Sequence, residues 1–364
     1  MAATGREREI LGLIRQNPMI SQRELAQRCG ITRSGVAAHI SNLVKKGYLQ
    51  GKGYIVSPPS YVSVIGAVNM DIYGLADNPV VSSSSNVGRI TFALGGIGRN
   101  ISYDLNKLGV RNYLITAYGN DHNGDFFKQD ALTNGMDITY SQQFPGTNTS
   151  TYLSVSGPDG GQLMGLDDMI VGDLITPSFL ADREHAIANS TSVVVDTSLS
   201  AQAIAWVCEH ATVPVFARVV SVNKAERLIP SLGHIDTVSL STAETEVLTG
   251  IKAVDEASAD ACAEYLLGRG VKRVFLFLDD VGMLYRTTPD RLYLPAPERR
   301  RAHVNGAASG ALAALVWARG EGMGFVKSAQ VAAALASLSM DGLASINPAL
   351  TVEGLERRRI ELFG

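Results

Sequence analysis

Four glycine-containing segments hold the residues best suited to chemistry. Gly66-Ala67-Val68-Asn69-Met70-Asp71 sets a carboxamide two residues before a carboxylate, and Gly95-Gly96-Ile97-Gly98-Arg99-Asn100 sets a guanidinium and a second carboxamide where a helical pattern begins. Gly119-Asn120-Asp121-His122-Asn123-Gly124 follows, and Val304-Asn305-Gly306-Ala307-Ala308-Ser309-Gly310 precedes a long apolar run. Carboxylates accept and carboxamides both donate and accept hydrogen bonds, so such segments suit a polar ligand. Glycine lets the backbone approach a ligand where a Cβ would intrude, and a helix start turns free N–H groups toward an anion. Ser309 limits what the fourth segment can do. A serine hydroxyl is not ionised near neutral pH without a base of its own, so it cannot serve as a general base.

Composition narrows the class of protein. With 364 residues, 46% of them hydrophobic and 18% charged, the chain is long enough for one large α/β domain and a small one. No apolar run reaches bilayer length and residues 1–9 lack the apolar stretch of a secretion signal, so a cytoplasmic protein without membrane contact is expected. Cys29, Cys208 and Cys262 are far apart and lack metal-ligand spacing to the six histidines. Neither a disulfide framework nor a metal site is expected, and the thiols read as small buried apolar groups. The net charge of −3 conceals an asymmetry: residues 1–58 hold nine Lys and Arg against three Glu, a charge of +6, which leaves −9 on the remainder. A basic segment on an acidic body suits a chain of which one end meets a polyanion.

The basic segment must be folded to present those charges. Residues 5–16 place Ile10, Leu11, Leu13 and Ile14 on one helical side before Asn17-Pro18 stops the helix. Ser21, with Glu24 three residues on, has a capping-box pattern for a second helix that ends at Gly30. A third helix from Thr32 is expected to bury Val36, Ala37, Ile40, Leu43 and Val44. Arg33, Ser34, Gly35 and His39 then lie where a recognition helix meets base edges, with Lys45 and Lys46 in reach of phosphate. Two short strands around Gly51-Lys52-Gly53 read as a wing, which would bring Lys52 to the DNA. Residues 1–58 thus resemble a winged helix-turn-helix domain, and Ser57-Pro58-Pro59-Ser60 reads as the linker to a second domain over 59–364.

From Tyr61, apolar strands alternate with helical stretches, the pattern of a largely parallel sheet covered by helices. The ordered set GAVNMD, GGIGRN and GNDHNG over residues 61–356 resembles the ribokinase (PfkB) family of sugar and nucleoside kinases. The spelling GGIGRN, with Asn148-Thr149-Ser150-Thr151-Tyr152 and Leu166-Asp167-Asp168, is most similar to the pseudouridine kinase branch, several members of which also carry an N-terminal helix-turn-helix. The resemblance implies a three-layer α/β sandwich with a mostly parallel sheet and a small β lid. It assigns Asn69, Asp71, Gly95, Gly96, Arg99, Asn100, Thr149, Tyr152 and Asp168 to the sugar or nucleoside. Residues 88–94 and 149–155 resemble lid strands, which in the family close over the sugar and commonly form a homodimer contact.

The phosphoryl side departs from that family. Gly306-Ala307-Ala308-Ser309 stands where relatives have Gly-Ala-Gly-Asp, whose Asp is the catalytic base. Ser239-Leu240-Ser241-Thr242-Ala243-Glu244 replaces Lys-Pro-Asn-x-x-Glu, leaving only Glu244. Phe277-Leu278-Asp279-Asp280-Val281-Gly282 replaces Thr-x-Gly-x-x-Gly, leaving Gly282, and Arg218 stands where an aspartate is common. The pattern favours a ligand-responsive transcriptional regulator whose kinase-like body binds a sugar or nucleoside without turnover. The alternative is an active kinase, with ATP and Mg2+ as its cofactors and Glu244, Asp279 or Asp280 as a substitute base.

Overall fold

In the computed structural model the chain forms two compact units, Met1–Tyr61 and Val62–Gly364, three residues from the boundary expected at 58/59. The structure describes residues 3–50, 55–56, 60–278, 281–295, 306–341 and 345–364. Lys52, Asp279, Asp280 and residues 304–305 lie outside them.

The first unit has helices Gly5–Gln16, Gln22–Cys29 and Arg33–Lys45 and an antiparallel pair of strands, Leu49–Gln50 and Ile55–Val56. Local chemistry sets each boundary. Thr4, Ser21 and Thr32 accept a hydrogen bond from a first-turn N–H, and Gly30 closes the second helix at φ 63°. Ile10, Leu11, Ile14, Leu25, Val36, Ile40, Leu43 and Leu49 form the core. Ala37 and Val44, expected inside, face solvent. With Val36, Ile40 and Leu43 turned inward at helical spacing, both positions fall on the flank of that face, beyond the reach of the core.

The second unit is built on an eight-stranded sheet. In spatial order its strands are Arg291–Pro295, Gly282–Arg286, Arg273–Leu278, Thr237–Ser241, Val215–Arg218, Ser192–Asp196, Val62–Ile65 and Asn112–Ile115. The last six are parallel, and the hairpin at the other end is antiparallel. Period-two alternation divides the core between two layers: Val64, Val194, Phe216 and Phe275 face one side, and Ile65, Val193, Val195, Ala217 and Leu276 the other. Burial on both faces explains the near-continuous apolar spelling of these strands. Helix Ala307–Gly320 is buried along nearly its whole length and packs with helices Ile97–Lys107 and Phe325–Ser339, completing one layer.

A second sheet forms the lid. Its order is Gln162–Asp168, Thr151–Ser156, Asn69–Ala76 and Gly88–Gly95, and the middle two strands are parallel. Ile90, Phe92 and Leu166 stand exposed on it by 67%, 67% and 64%.

Candidate functional site

The chain enters the large sheet at Val62–Ile65, turns into the lid, and later returns at Ser192–Asp196 on the other side of that first strand. Such a switch of direction leaves a crevice at the carboxyl ends of parallel strands, where ligands of open α/β sheets sit. A cavity of about 390 Å³ opens there. It brings the start of the lid, the start of helix Ile97–Lys107, the ends of two sheet strands and the start of helix Ala307–Gly320 to one space.

Asn69, Asp71, Gly96, Asn100 and Tyr152 line one part of it. Asp71 accepts from Asn69 Nδ2 at 2.5 Å and from the Tyr73 hydroxyl at 2.9 Å, so its carboxylate is oriented before any ligand arrives. Burial pushes the Asp71 carboxyl up, against these two bonds and the charge of Arg99. Gly95 does not line the cavity. A Cβ there would stand 2.2 Å from Asp71 Oδ2, so its part is to leave room for that carboxylate. Gly96, at φ 96°, passes so close to Ala67 that a Cβ would meet its carbonyl oxygen at 2.4 Å.

Besides Gly95, three of the expected sugar contacts lie elsewhere. Arg99 turns away to Asp130, with Nη2 at 2.7 Å and Nε at 3.2 Å. A buried guanidinium needs a carboxylate, and Asp130 supplies one. Thr149 accepts from the Gly119 N–H at 3.0 Å and donates to Asp121 at 2.6 Å, tying two loops behind the cavity. Asp168 pairs with Thr151, while Asp167 pairs with Tyr152 and shares the cavity wall with it. Adjacent residues of a strand face opposite sides, so only one of the two acids can point inward.

At the other end of the cavity lie Gly306, Ala308 and Ser309. Gly306 caps helix Ala307–Gly320 at φ 91°, and a Cβ there would meet the Ser345 carbonyl oxygen at 1.9 Å. Ala308 is within the helix and needs no left-handed backbone, so its methyl costs the turn nothing. Ala307 is buried in the core and does not reach the cavity. Ser309 is buried against the cavity at the position assigned to the base.

Arg218 and Lys224 also line this space. Arg218 ends its strand beside Asp196, and its Nη1 donates to Glu244 Oε2 at 2.8 Å, to the Ser239 carbonyl at 3.2 Å and to the Val219 carbonyl. Glu244, capping helix Thr242–Thr249, also accepts from the N–H groups of Ser221 at 3.0 Å and Ser241 at 2.8 Å. Ser221 holds φ 58° and ψ 151°, a region that costs a non-glycine residue about 1–3 kcal/mol. Lys224 pairs with Asp167 at 2.7 Å. Asp196 is buried behind Ala67, whose N–H it accepts at 3.2 Å, and burial pushes its carboxyl up against the bonds from Ser198 and Ala67.

Gly282 pairs with Leu278 in the antiparallel hairpin and does not line the cavity. Nor does Glu244, whose carboxylate is occupied by Arg218 and two N–H groups. Among the described residues no three His, Cys, Asp or Glu side chains cluster as metal ligands. Glu244, the one acid left from the phosphate-side motif among the described residues, is paired with the Arg218 guanidinium.

In the first unit Arg33, Ser34 and Lys45 are exposed on the third helix, and Gly35 sits under the Thr32 cap. His39 is half-buried, with Nδ1 enclosed. Lys46, expected at phosphate, pairs with Glu7 at 2.7 Å. The buried Glu7 requires that charge, and the Lys46 ammonium and the Thr4 N–H hold its carboxyl down to about 2.

The two units are a winged helix-turn-helix fold and a ribokinase-like α/β fold with a lidded cavity. Residues 59–351 match the model of the pfkB family carbohydrate kinases, and residues 5–50 match the winged helix-turn-helix DNA-binding model. The chain belongs to the pfkB family and carries the helix-turn-helix at its N-terminal side. It is 34% identical to the uncharacterized sugar kinase YeiI of Escherichia coli (strain K12), over 96% of this chain and 97% of that one. It is 30% identical to the pseudouridine kinase of the same strain, over 80% and 94%. Ribokinase of Arabidopsis thaliana, solved with ribose and ATP, superposes with a TM-score of 0.72 at 20% identity, over 82% of this chain and 98% of that one. No helix among the described residues is long and apolar enough to cross a membrane.

Proposed function

We propose that the chain is a ligand-responsive transcriptional regulator, in which a pfkB-type body binds a ribosyl compound without phosphorylating it and a winged helix binds DNA. One observation carries the reading. The end of the cavity where a base must stand holds Ser309, and the nearby acid, Glu244, is held by Arg218. Losing a positioned base typically costs about 10²–10⁴-fold in rate. The polyol end keeps Asn69, Asp71 and Asn100 together on one wall. Retained binding groups beside lost transfer groups are what a sensor needs.

The exposed apolar lid residues Ile90, Phe92 and Leu166 support a homodimer through the lid, since a patch of this kind is costly in water. Two copies would present two winged helices to a two-fold operator. A ligand that binds two arrangements of the dimer unequally would then change DNA affinity.

The second reading is an active ATP-dependent kinase, favoured by the relatives' names and by the anion cradle kept at Gly306. Selection of duplex DNA from a random pool by the full-length protein, followed by anisotropy titrations with and without pseudouridine, separates the two. The regulator reading expects a two-fold site whose affinity changes with ligand. Absence of sequence-selective binding, or binding indifferent to every ribosyl compound tried, contradicts it.

A further inference from the structure

Among the described residues Arg218 is the one guanidinium on the cavity wall. The residue is only 7% exposed, it lines the cavity, and of its guanidinium nitrogens Nη1 alone has hydrogen-bond partners among the described residues. An unpaired N–H of a buried cation is costly unless an acceptor meets it, and an anionic acceptor meets it best. The same cavity holds the start of the fourteen-residue helix Ala307–Gly320, where free N–H groups and the helix dipole favour an anion. Gly306, held at φ 91°, keeps that start free of a side chain. Lys224 adds a second cation. Its pair with Asp167, an acid whose side chain is 41% exposed, is weak enough to be exchanged for a better partner.

From this setting we infer that the ligand is a phosphomonoester of a ribosyl compound, held with its polyol at Asp71 and its phosphate at Arg218 and the helix start, and bound without a metal ion. The inference rests on the sensor reading and specifies its ligand. A kinase meets phosphate charge with a mobile divalent cation. Here Glu244, the acid left from that arrangement, is bridged at 2.8 Å by Arg218, so a covalently fixed charge occupies the place of a diffusible one. The carboxylates on the wall do not oppose this placement. Asp71 is engaged by Asn69 and Tyr73 at the polyol end, and Asp167, its side chain 41% exposed, is screened by solvent once Lys224 turns to the phosphate.

The test is calorimetric titration of the full-length protein with uridine, uridine 5′-monophosphate, ribose, ribose 5-phosphate and inorganic phosphate, each in magnesium and in EDTA. Each phosphorylated compound is expected to bind at least about tenfold more tightly than its parent, as a charge-assisted hydrogen bond to a buried cation provides. EDTA is expected to change nothing. Lys224→Gln should weaken the phosphorylated compounds alone. Arg218→Gln should abolish the preference. If that variant does not fold, Arg218→Gln with Glu244→Gln removes the stranded charge and serves instead.

Equal affinity for phosphorylated and parent compounds, or a requirement for magnesium, overturns the inference while leaving the sensor reading intact. Inorganic phosphate binding as tightly as the phosphomonoesters overturns the assignment of the sugar part. No binding by any of the five, in a folded protein, sinks both readings.

Discussion

On the sensor reading, Ser309 and Arg218 act together rather than singly. Restoring a carboxylate by Ser309→Asp returns the base but leaves Glu244 held by Arg218. ATP-dependent phosphorylation of pseudouridine, uridine or ribose is therefore expected to stay at background in that variant, measured by product analysis. Robust turnover would show the rest of the transfer site to be intact. Asp104 offers a test of burial itself. Both its oxygens are enclosed without partners among the described residues, and burial pushes its carboxyl up to about 8, against the charge of Arg99. The unfolded chain releases that proton near its ordinary value of about 3.9, so stability falls as pH rises from there to about 8 and levels off beyond. Asp104→Asn removes the titration. Its melting temperature relative to the parent should climb across that window, and a constant difference from pH 4 to 8 would show that Asp104 is not the titrating group. At this scale Asn69, Asp71, Gly96, Asn100 and Ser309 were legible, because each belongs to a short segment of distinctive spelling. Lys224, Ser221 and the Arg218–Glu244 bond were not. They belong to separate elements, and nothing local in the sequence announces that they meet.

Among the elements, the proposed function rests on the third helix of the head and on the lid. Arg33 is exposed at the helix start, whereas Lys46 is engaged with Glu7. Arg33→Ala is expected to weaken DNA binding by about 1–3 kcal/mol and to leave nucleoside affinity unchanged, as anisotropy and calorimetry would record. Equal loss of both would contradict two separate modules. Lys46→Ala strands the buried Glu7 and should cost the head about 3–5 kcal/mol of stability in denaturant unfolding. The sign with pH is fixed by the lowered Glu7 carboxyl. Its contribution is complete above the unfolded value of about 4.3 and is lost as pH falls toward 2, so the difference between Lys46→Ala and parent should shrink on acidification. For the lid, Phe92→Asp is expected to convert a dimer to a monomer in light scattering without loss of fold. An unchanged mass would place the self-contact elsewhere. The starts of the second and third helices and the end of the second were legible, since Ser21, Thr32 and Gly30 set them locally, whereas the end of the third at Lys45 carries no such signal. The choice between Asp167 and Asp168 was not. The irregular register between Gln162 and Met164 decides which acid faces inward, and it depends on pairing with a strand elsewhere in the chain.

For the whole molecule, alternation of apolar strands and helices from Tyr61 was enough to specify a largely parallel sheet, and six neighbouring strands of the eight run parallel. Strand order was beyond local reading. It is the order, with Ser192–Asp196 returning beside Val62–Ile65, that opens the cavity and brings a lid, a guanidinium and a helix start into one space. The charge asymmetry between residues 1–58 and the remainder fits a DNA-binding head on an acidic body. Binding separated from turnover is the central claim, and one measurement tests it directly: calorimetric titration of the full-length protein with pseudouridine, uridine and ribose, with and without ATP and magnesium, and product analysis of the same samples. Saturable binding with no phosphorylated product is the result expected of a sensor. Phosphorylated product accumulating with turnover would contradict it and return the chain to the working kinases.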